Sequence, residues 1–258
     1  MKRLTSLTLE RSSLSTAQVE RMWAIFHRYY LNTTKEIFTK DLNDKDIVFL
    51  LVDQKTQEIQ GFSTLKNITV KEGKKTIHAV FSGDTIIEKE YWGQGALGIA
   101  FLKYLFMQKL RRPFSPLYWF LISKGFKTYL LMANNFQTHY PRFETKTPRS
   151  IQKLIDHLGE SLFADSYRAD LGLIKIQNKD ALKEDVAPIT VDMLKNERIS
   201  YFVKLNPDWK KGDELVCLAQ MTLFMPFYYQ FKIIQKNLKK IGDSTLGKLS
   251  ELFGVVVK

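Results

Sequence analysis

One stretch constrains this chain more than any other: Asp84-Thr-Ile-Ile-Glu-Lys-Glu-Tyr-Trp-Gly-Gln-Gly-Ala-Leu-Gly98. An apolar strand runs into a glycine-spaced turn, and the turn opens the apolar helix Ile99-Ala-Phe-Leu-Lys-Tyr-Leu-Phe-Met-Gln-Lys-Leu110. The start of a helix presents unpaired N–H groups and a partial positive charge, and glycines there let a diphosphate approach bare backbone. The stretch therefore points to a phosphate-bearing ligand. An ordinary glycine-rich strand-to-helix turn is the plainer alternative.

The wording of the turn narrows the choice. No Gly-x-x-x-x-Gly-Lys-Ser/Thr is present, which argues against a P-loop. Gly93-Gln-Gly95-Ala-Leu-Gly98 does spell the dinucleotide fingerprint. That fingerprint belongs in a βαβ unit with an acidic residue about 20 positions on. Here the preceding strands read as an antiparallel meander, and no acid stands near position 115. Glu90-Tyr-Trp-Gly-Gln-Gly-Ala96 resembles instead the acyl-CoA diphosphate loop of the GNAT acetyltransferase superfamily, in which an Arg/Gln-x-x-Gly-x-Gly/Ala segment follows a strand and starts a helix. The sequence departs from that pattern at Trp92, where the family carries Arg or Gln, and at Leu97, the second small position; Gly98 compensates for Leu97 if the turn is one residue longer.

The resemblance covers residues 4–143 and extends to the order of elements. Residues 4–10 read as a strand, and Ser15 with Gln18 forms a capping box for a helix whose Val19, Met22, Trp23, Phe26 and Tyr30 share one face. These aromatics read as core, with a pocket lining as the alternative. Thr33 and Glu36 repeat the capping pattern for a short helix through Leu42. Strands follow over 46–52, 61–70 and 75–87, with a hairpin turn at Lys71-Glu-Gly73-Lys and a bulge or close approach at Gly83. Beyond the glycine helix, Ser115-Pro116 suggests a helix over 117–124 closed by Gly125, then a strand over 126–133; the alternative makes 117–123 the strand and the segment from Lys124 the helix.

Residues 144–258 read as a helix-rich C-terminal elaboration of a core spanning 1–143, in the same domain or a separate one. Thr147-Pro148 caps a helix over 149–159, residues 171–177 and 199–204 are strand candidates, and 180–198 is charged and partly helical. Residues 215–231 lack charge, a length at the lower edge of what spans a bilayer. Pro226, Thr222, Gln220 and Gln230 favour a buried or interface helix, with peripheral membrane contact or homodimerisation as alternatives. The expected class is thus α/β (α+β), a mixed and mostly antiparallel sheet flanked by helices.

Composition adds bounds. The single cysteine, Cys217, excludes an intrachain disulfide framework, sits in an apolar run as a buried thiol would, and fits a reducing, cytoplasmic setting; no continuous apolar leader opens the chain. The formal charge of +12 attracts anions. Its lysines and arginines are scattered, however, and no nucleic-acid motif accompanies them. Four scattered histidines and one cysteine offer no zinc-ligand spacing, so no metal is expected, and there is neither a Gly-x-Ser-x-Gly elbow nor a His-Glu-x-x-His.

The resemblance implies transfer of an acyl group from acetyl-CoA or another acyl-CoA to an amine. It places the main chain of Ile87 and Glu88 on the pantetheine, and wraps Trp92, Gly93, Gln94, Gly95, Ala96, Leu97 and Gly98 around the diphosphate. Asn135 and Tyr140 match, in kind and rough spacing, an Asn and a Tyr that follow the next strand in that family. Tyr140 is then the candidate proton donor to the thiolate, or simply the anchor of a Tyr-Pro turn. Glu88 and Glu90 are candidate bases, or solvated carboxylates. His78 and His139 read as structural, with His139 the one to test. A non-catalytic module of the same fold, and a basic peripheral membrane protein, remain the alternatives.

Overall fold

The computed structural model describes residues 2–73, 75–175 and 189–225. The chain divides into a compact unit, Met1–Met221, and a second, Thr222–Lys258. In the first unit an α/β arrangement is built on one mixed sheet, ordered β1 (Leu4–Glu10), β2 (Ile47–Asp53), β3 (Ile59–Glu72), β4 (Lys75–Ile87), β5 (Leu117–Ser123), β9 (Glu214–Met221), β8 (Leu173–Ile174) and β7 (Tyr167–Arg168). β6 (His139–Tyr140) also lies along β9. β4 and β5 run parallel, and every other pairing among the described strands is antiparallel.

Helices cover both faces. α1 (Thr16–Tyr29) and α2 (Lys35–Asn43) bury Met22, Phe26, Phe38 and Leu42 against Leu50, Phe62 and Ile86. The aromatics of α1 are therefore core. α5 (Arg149–Phe163) packs Leu154, Ile155 and Leu158 against Phe81, Phe120 and Leu218. On the other face α3 (Ala96–Arg111) stacks Phe101 against Phe49 and Trp119, with ring centroids 6.4 and 4.6 Å apart. α4 (Phe126–Asn135) lies beside β5 and touches α6 (Glu197–Leu205) through Tyr129 and Phe202.

The structure corrects four expectations. Residues 117–123 form a strand and the segment after Gly125 a helix, the reverse of the parse favoured above. The 117–123 run is buried almost throughout and so carries no period, whereas Phe126, Tyr129, Met132 and Ala133 are buried at helical spacing. Gly125 is accordingly an N-cap rather than a C-cap. Residues 199–204 belong to α6, capped by the Asn196 side chain, which accepts from Arg198 N at 3.0 Å. The apolar segment after Glu214 begins not as a helix but as β9, a strand paired on both edges; that removes 215–221 as a membrane or dimer surface, while 226–231 lie outside the described residues. The cap of α2 is Thr34, not Thr33, accepting from Ile37 N at 3.4 Å. Among the described residues no helix is long and apolar enough to cross a membrane.

Candidate active site at the β4–β5 split

The site begins with a flaw in the ladder. Between β3 and β4 the register passes from Leu65↔Ser82 to Ser63↔Thr85, so Gly83 and Asp84 together oppose Thr64. This is a bulge, as the glycine suggested, and a bulge bends and twists its strand. On the other edge of β4, pairing with β5 ends at Ser82↔Leu121. β5 continues through Ile122 and Ser123 bound to β9, while 83–87 of β4 stay with β3. Two parallel neighbours thus part company and leave a wedge between them.

The wedge has an edge of peptide groups. Glu88 N–H donates to Gln60 O at 2.9 Å, and the bonding groups of an antiparallel strand alternate sides. The Ile87 peptide groups therefore face away from β3, into the split. The Ile87 carbonyl accepts from Trp92 Nε1 at 2.6 Å. Of the main-chain groups assigned to pantetheine, the Glu88 N–H is therefore spent within the sheet, and the Ile87 carbonyl is held by Trp92.

Because β4 and β5 are parallel, the helices that follow them start at the same end of the sheet. α3 begins at Gly95 (φ 77°) and α4 at Gly125, and neither N-cap makes a side-chain hydrogen bond. Two helix N-termini, each with about half a positive charge, converge at the mouth of the split. Lys127, in the first turn of α4, places Nζ 4.6 Å from the centre of the Trp92 ring. Gly93 and Gly95 both take positive φ, and a Cβ added at Gly93, Gly95 or Gly98 would meet nothing within 4 Å. Leu97 and Ala96 turn inward against Leu4, Leu51 and Tyr91. The side chain at the departing position 97 thus leaves the amide face of the turn clear, and the residues fit a diphosphate.

The turn is clamped from below. Gln94 Oε1 accepts from Leu4 N at 2.9 Å and its Nε2 donates to Lys2 O at 3.2 Å. Tyr91 is buried and donates to Asp53 Oδ2 at 2.8 Å, while Asp53 Oδ1 accepts from the amides of Lys55 and Thr56 at 2.8 and 3.0 Å. The backbone bonds from Thr56 and Lys55, then the Tyr91 hydroxyl, hold the Asp53 carboxyl below the usual aspartate range. A depressed carboxylate contributes stability that is present above its unfolded pKa, near 3.9, and is lost as pH falls through the folded value. Melting temperature should therefore fall more steeply with acid below about pH 4 in wild type than in Asp53→Asn, which starts lower at neutral pH. Parallel slopes would remove Asp53 as the clamp.

The other sequence candidates are scattered. Glu88 bonds Arg28 Nη1 at 2.6 Å and accepts from Tyr29 OH at 2.7 Å, while Lys89 N–H donates to the same Tyr29 oxygen at 3.0 Å. Burial, then the bond to Glu88, raises the Tyr29 pKa. Glu90 is exposed and paired with Lys2. Asn135 ends α4 and donates to Leu131 O at 2.7 Å. α4 runs back along the sheet for ten residues, so Asn135 sits about 15 Å from the mouth. Tyr140 lies beyond β9, two strand spacings or about 10 Å from β5, and packs on the α5 cluster. His139 is buried, bonds Phe136 O at 2.9 Å, and burial lowers its pKa. Cys217 is fully buried, a structural thiol. Sequence reasoning missed Arg28, Tyr29, Gly61 and Lys127; only Tyr29 carried a signal, three residues after Phe26 on the buried face.

No protein-family model matches the chain, and no curated protein does. Solved structures similar to it include the following three. A probable N-acyltransferase from Enterococcus faecalis is 16% identical over 54% of this chain and 33% of its own, at TM-score 0.37; the match thus spans about a third of that protein. NAA60 from Arabidopsis thaliana, bound to a bisubstrate analogue, is 16% identical over 52% and 86%, at TM-score 0.39. The GNAT family N-acetyltransferase YhbS from Escherichia coli, in complex with CoA, is 13% identical over 53% and 71%, at TM-score 0.37.

Proposed function

We propose that this chain is an acyl-CoA-dependent N-acyltransferase, drawing an acetyl or other acyl group from acyl-CoA and passing it to an amine. The observation that carries the reading is the wedge between β4 and β5 opening directly onto the glycine turn. An extended pantetheine has the amide spacing to lie along a parted strand edge. Its diphosphate would meet the amides of 93–98 and the two helix N-termini.

The reaction needs little more than placement. An amine nitrogen bonds to the thioester carbonyl carbon, the carbon–sulfur bond breaks, the amine gives up a proton and the thiolate takes one. Fixing the two reactants together supplies most of the acceleration. A backbone N–H such as that of Ile87 is suited to stabilise charge on the thioester oxygen. Tyr29 and Glu88 form a hydrogen-bonded acid–base couple at the end of β4, and Arg28 holds the carboxylate in place.

One observation favours a second reading, a binding module without catalysis: Trp92 holds the Ile87 carbonyl. Calorimetry with acetyl-CoA and mass detection of acyl transfer to a panel of primary amines separate the two. Binding with transfer supports the enzyme, and binding without transfer supports the module. Acetyl-CoA should also change tryptophan fluorescence in wild type and not in Trp92→Phe, because the indole must shift as the strand edge is taken. No heat and no fluorescence change at millimolar acetyl-CoA would end both readings.

A further inference from the structure

At the far end of β4 from the split, a second concavity is lined by Asn67 and Thr69 of β3, His78 of β4, Gln108 and Arg111 of the last turn of α3, and Arg112, its C-cap. α3 is 16 residues long, so this concavity stands about 24 Å from the glycine turn. That is farther than the ribose phosphate of one coenzyme stands from its diphosphate, so the two places cannot serve a single bound molecule.

Its charge is one-sided. Two guanidinium groups and an imidazole face a shared space, and Lys109 adds a third cation at the rim, where Nζ bonds Ser115 O at 2.8 Å. The neighbouring acid, Asp46, accepts from the Asn67 amide at 2.6 Å. The polar groups form a frame: Tyr104 OH donates to Asn67 Oδ1 at 2.8 Å, Thr69 Oγ1 lies 3.3 Å from His78 Nδ1, and Arg112 Nη1 donates to Gln108 Oε1 at 3.3 Å. Arginines at a helix C-terminus also complement its dipole, which explains their being at that end of α3. It does not explain a half-buried histidine brought to the same concavity from the sheet. Burial, and then Arg112, hold that histidine below the ordinary imidazole range, so at neutral pH the space is set by the arginines.

We propose that this concavity is a second anion site, which takes the phosphate group of a small phosphorylated molecule between Arg111, Arg112 and His78. A concavity lined by this few residues holds a single phosphate group, whereas a nucleic-acid backbone needs an extended track. The proposal is independent of the acyl-CoA reading.

Proton NMR of the His78 ring, identified by its absence in His78→Gln, tests it with inorganic phosphate and glycerol 3-phosphate as probes. The resonance should shift saturably, and its titration midpoint should rise because a bound dianion favours the imidazolium. Arg111→Gln and Arg112→Gln should each weaken binding by about tenfold or more, as expected for loss of a charge-assisted hydrogen bond, with acetyl-CoA binding unchanged and melting temperature lowered by no more than about 4 °C from the lost dipole interaction. Three outcomes overturn the proposal: no shift at tens of millimolar phosphate, an equal shift with chloride at matched ionic strength, or loss in the same variants of nucleic-acid binding alone.

Discussion

Gly98→Glu is expected to abolish acetyl-CoA binding in a protein that melts no lower than wild type. Gly98 is the third residue of α3, and a side chain there enters open space. Replacing a helical glycine whose side-chain position is open gains about 0.5–1 kcal/mol, and an acid in the first turn gains a further 0.3–1 kcal/mol from the helix dipole. Folding therefore benefits. Binding does not, because the new carboxylate competes for the same amides and repels the diphosphate at close range. A loss of about 100-fold or more is expected, from charge repulsion and lost charge-assisted hydrogen bonds together. Gly98→Ala separates the two effects: it should melt about 2–4 °C higher and bind acetyl-CoA as wild type does. Undiminished binding by Gly98→Glu would show that no diphosphate rests on this helix start.

What the sequence made legible follows from the range of the interactions involved. The glycine turn, the bulge at Gly83 and the capping box at Ser15 are local, and each stands where residue types and spacing put it. The assignments that failed depend on partners far along the chain. β5 is buried on both faces because α3 covers Trp119 and α5 covers Phe120, and its second edge partner, β9, arrives about ninety residues later. Without that partner, a seven-residue apolar run has no period by which to tell strand from helix. The same late strand bears on the acid–base candidates. Tyr140 sits at a plausible distance along the chain from the turn, but β9 enters between β5 and β6 and sets the tyrosine's strand two spacings, about 10 Å, from β5. The fold also brings up Arg28 and Tyr29, sixty residues before Glu88, because the C-terminus of α1 ends over the end of β4.

The second large effect concerns a glycine that no motif marks. Gly61 pairs with Ile87 across β3 and β4, and a Cβ there would lie 2.6 Å from Ile86 O and 3.0 Å from Ile87 Cα. Both are backbone atoms, which cannot rotate aside as a side chain can. Gly61→Ala must therefore push β4 away from β3 at the residue whose peptide groups face the split. Overpacking of this kind costs about 1–3 kcal/mol, a fall of about 2–12 °C in melting temperature for a domain of this size. Gly83→Ala is the control. Its Cβ would meet Thr64 Oγ1 at 2.6 Å and Lys45 Cε at 2.8 Å; these are side-chain atoms rather than backbone, so a smaller loss of stability is expected there even though both residues are buried. If the strand edge at Ile87 holds the pantetheine, Gly61→Ala should also weaken acetyl-CoA binding at temperatures well below its melting point. A variant that melts lower yet binds as wild type would place the ligand's contacts elsewhere than on β4, and the wedge would then be a feature of folding alone.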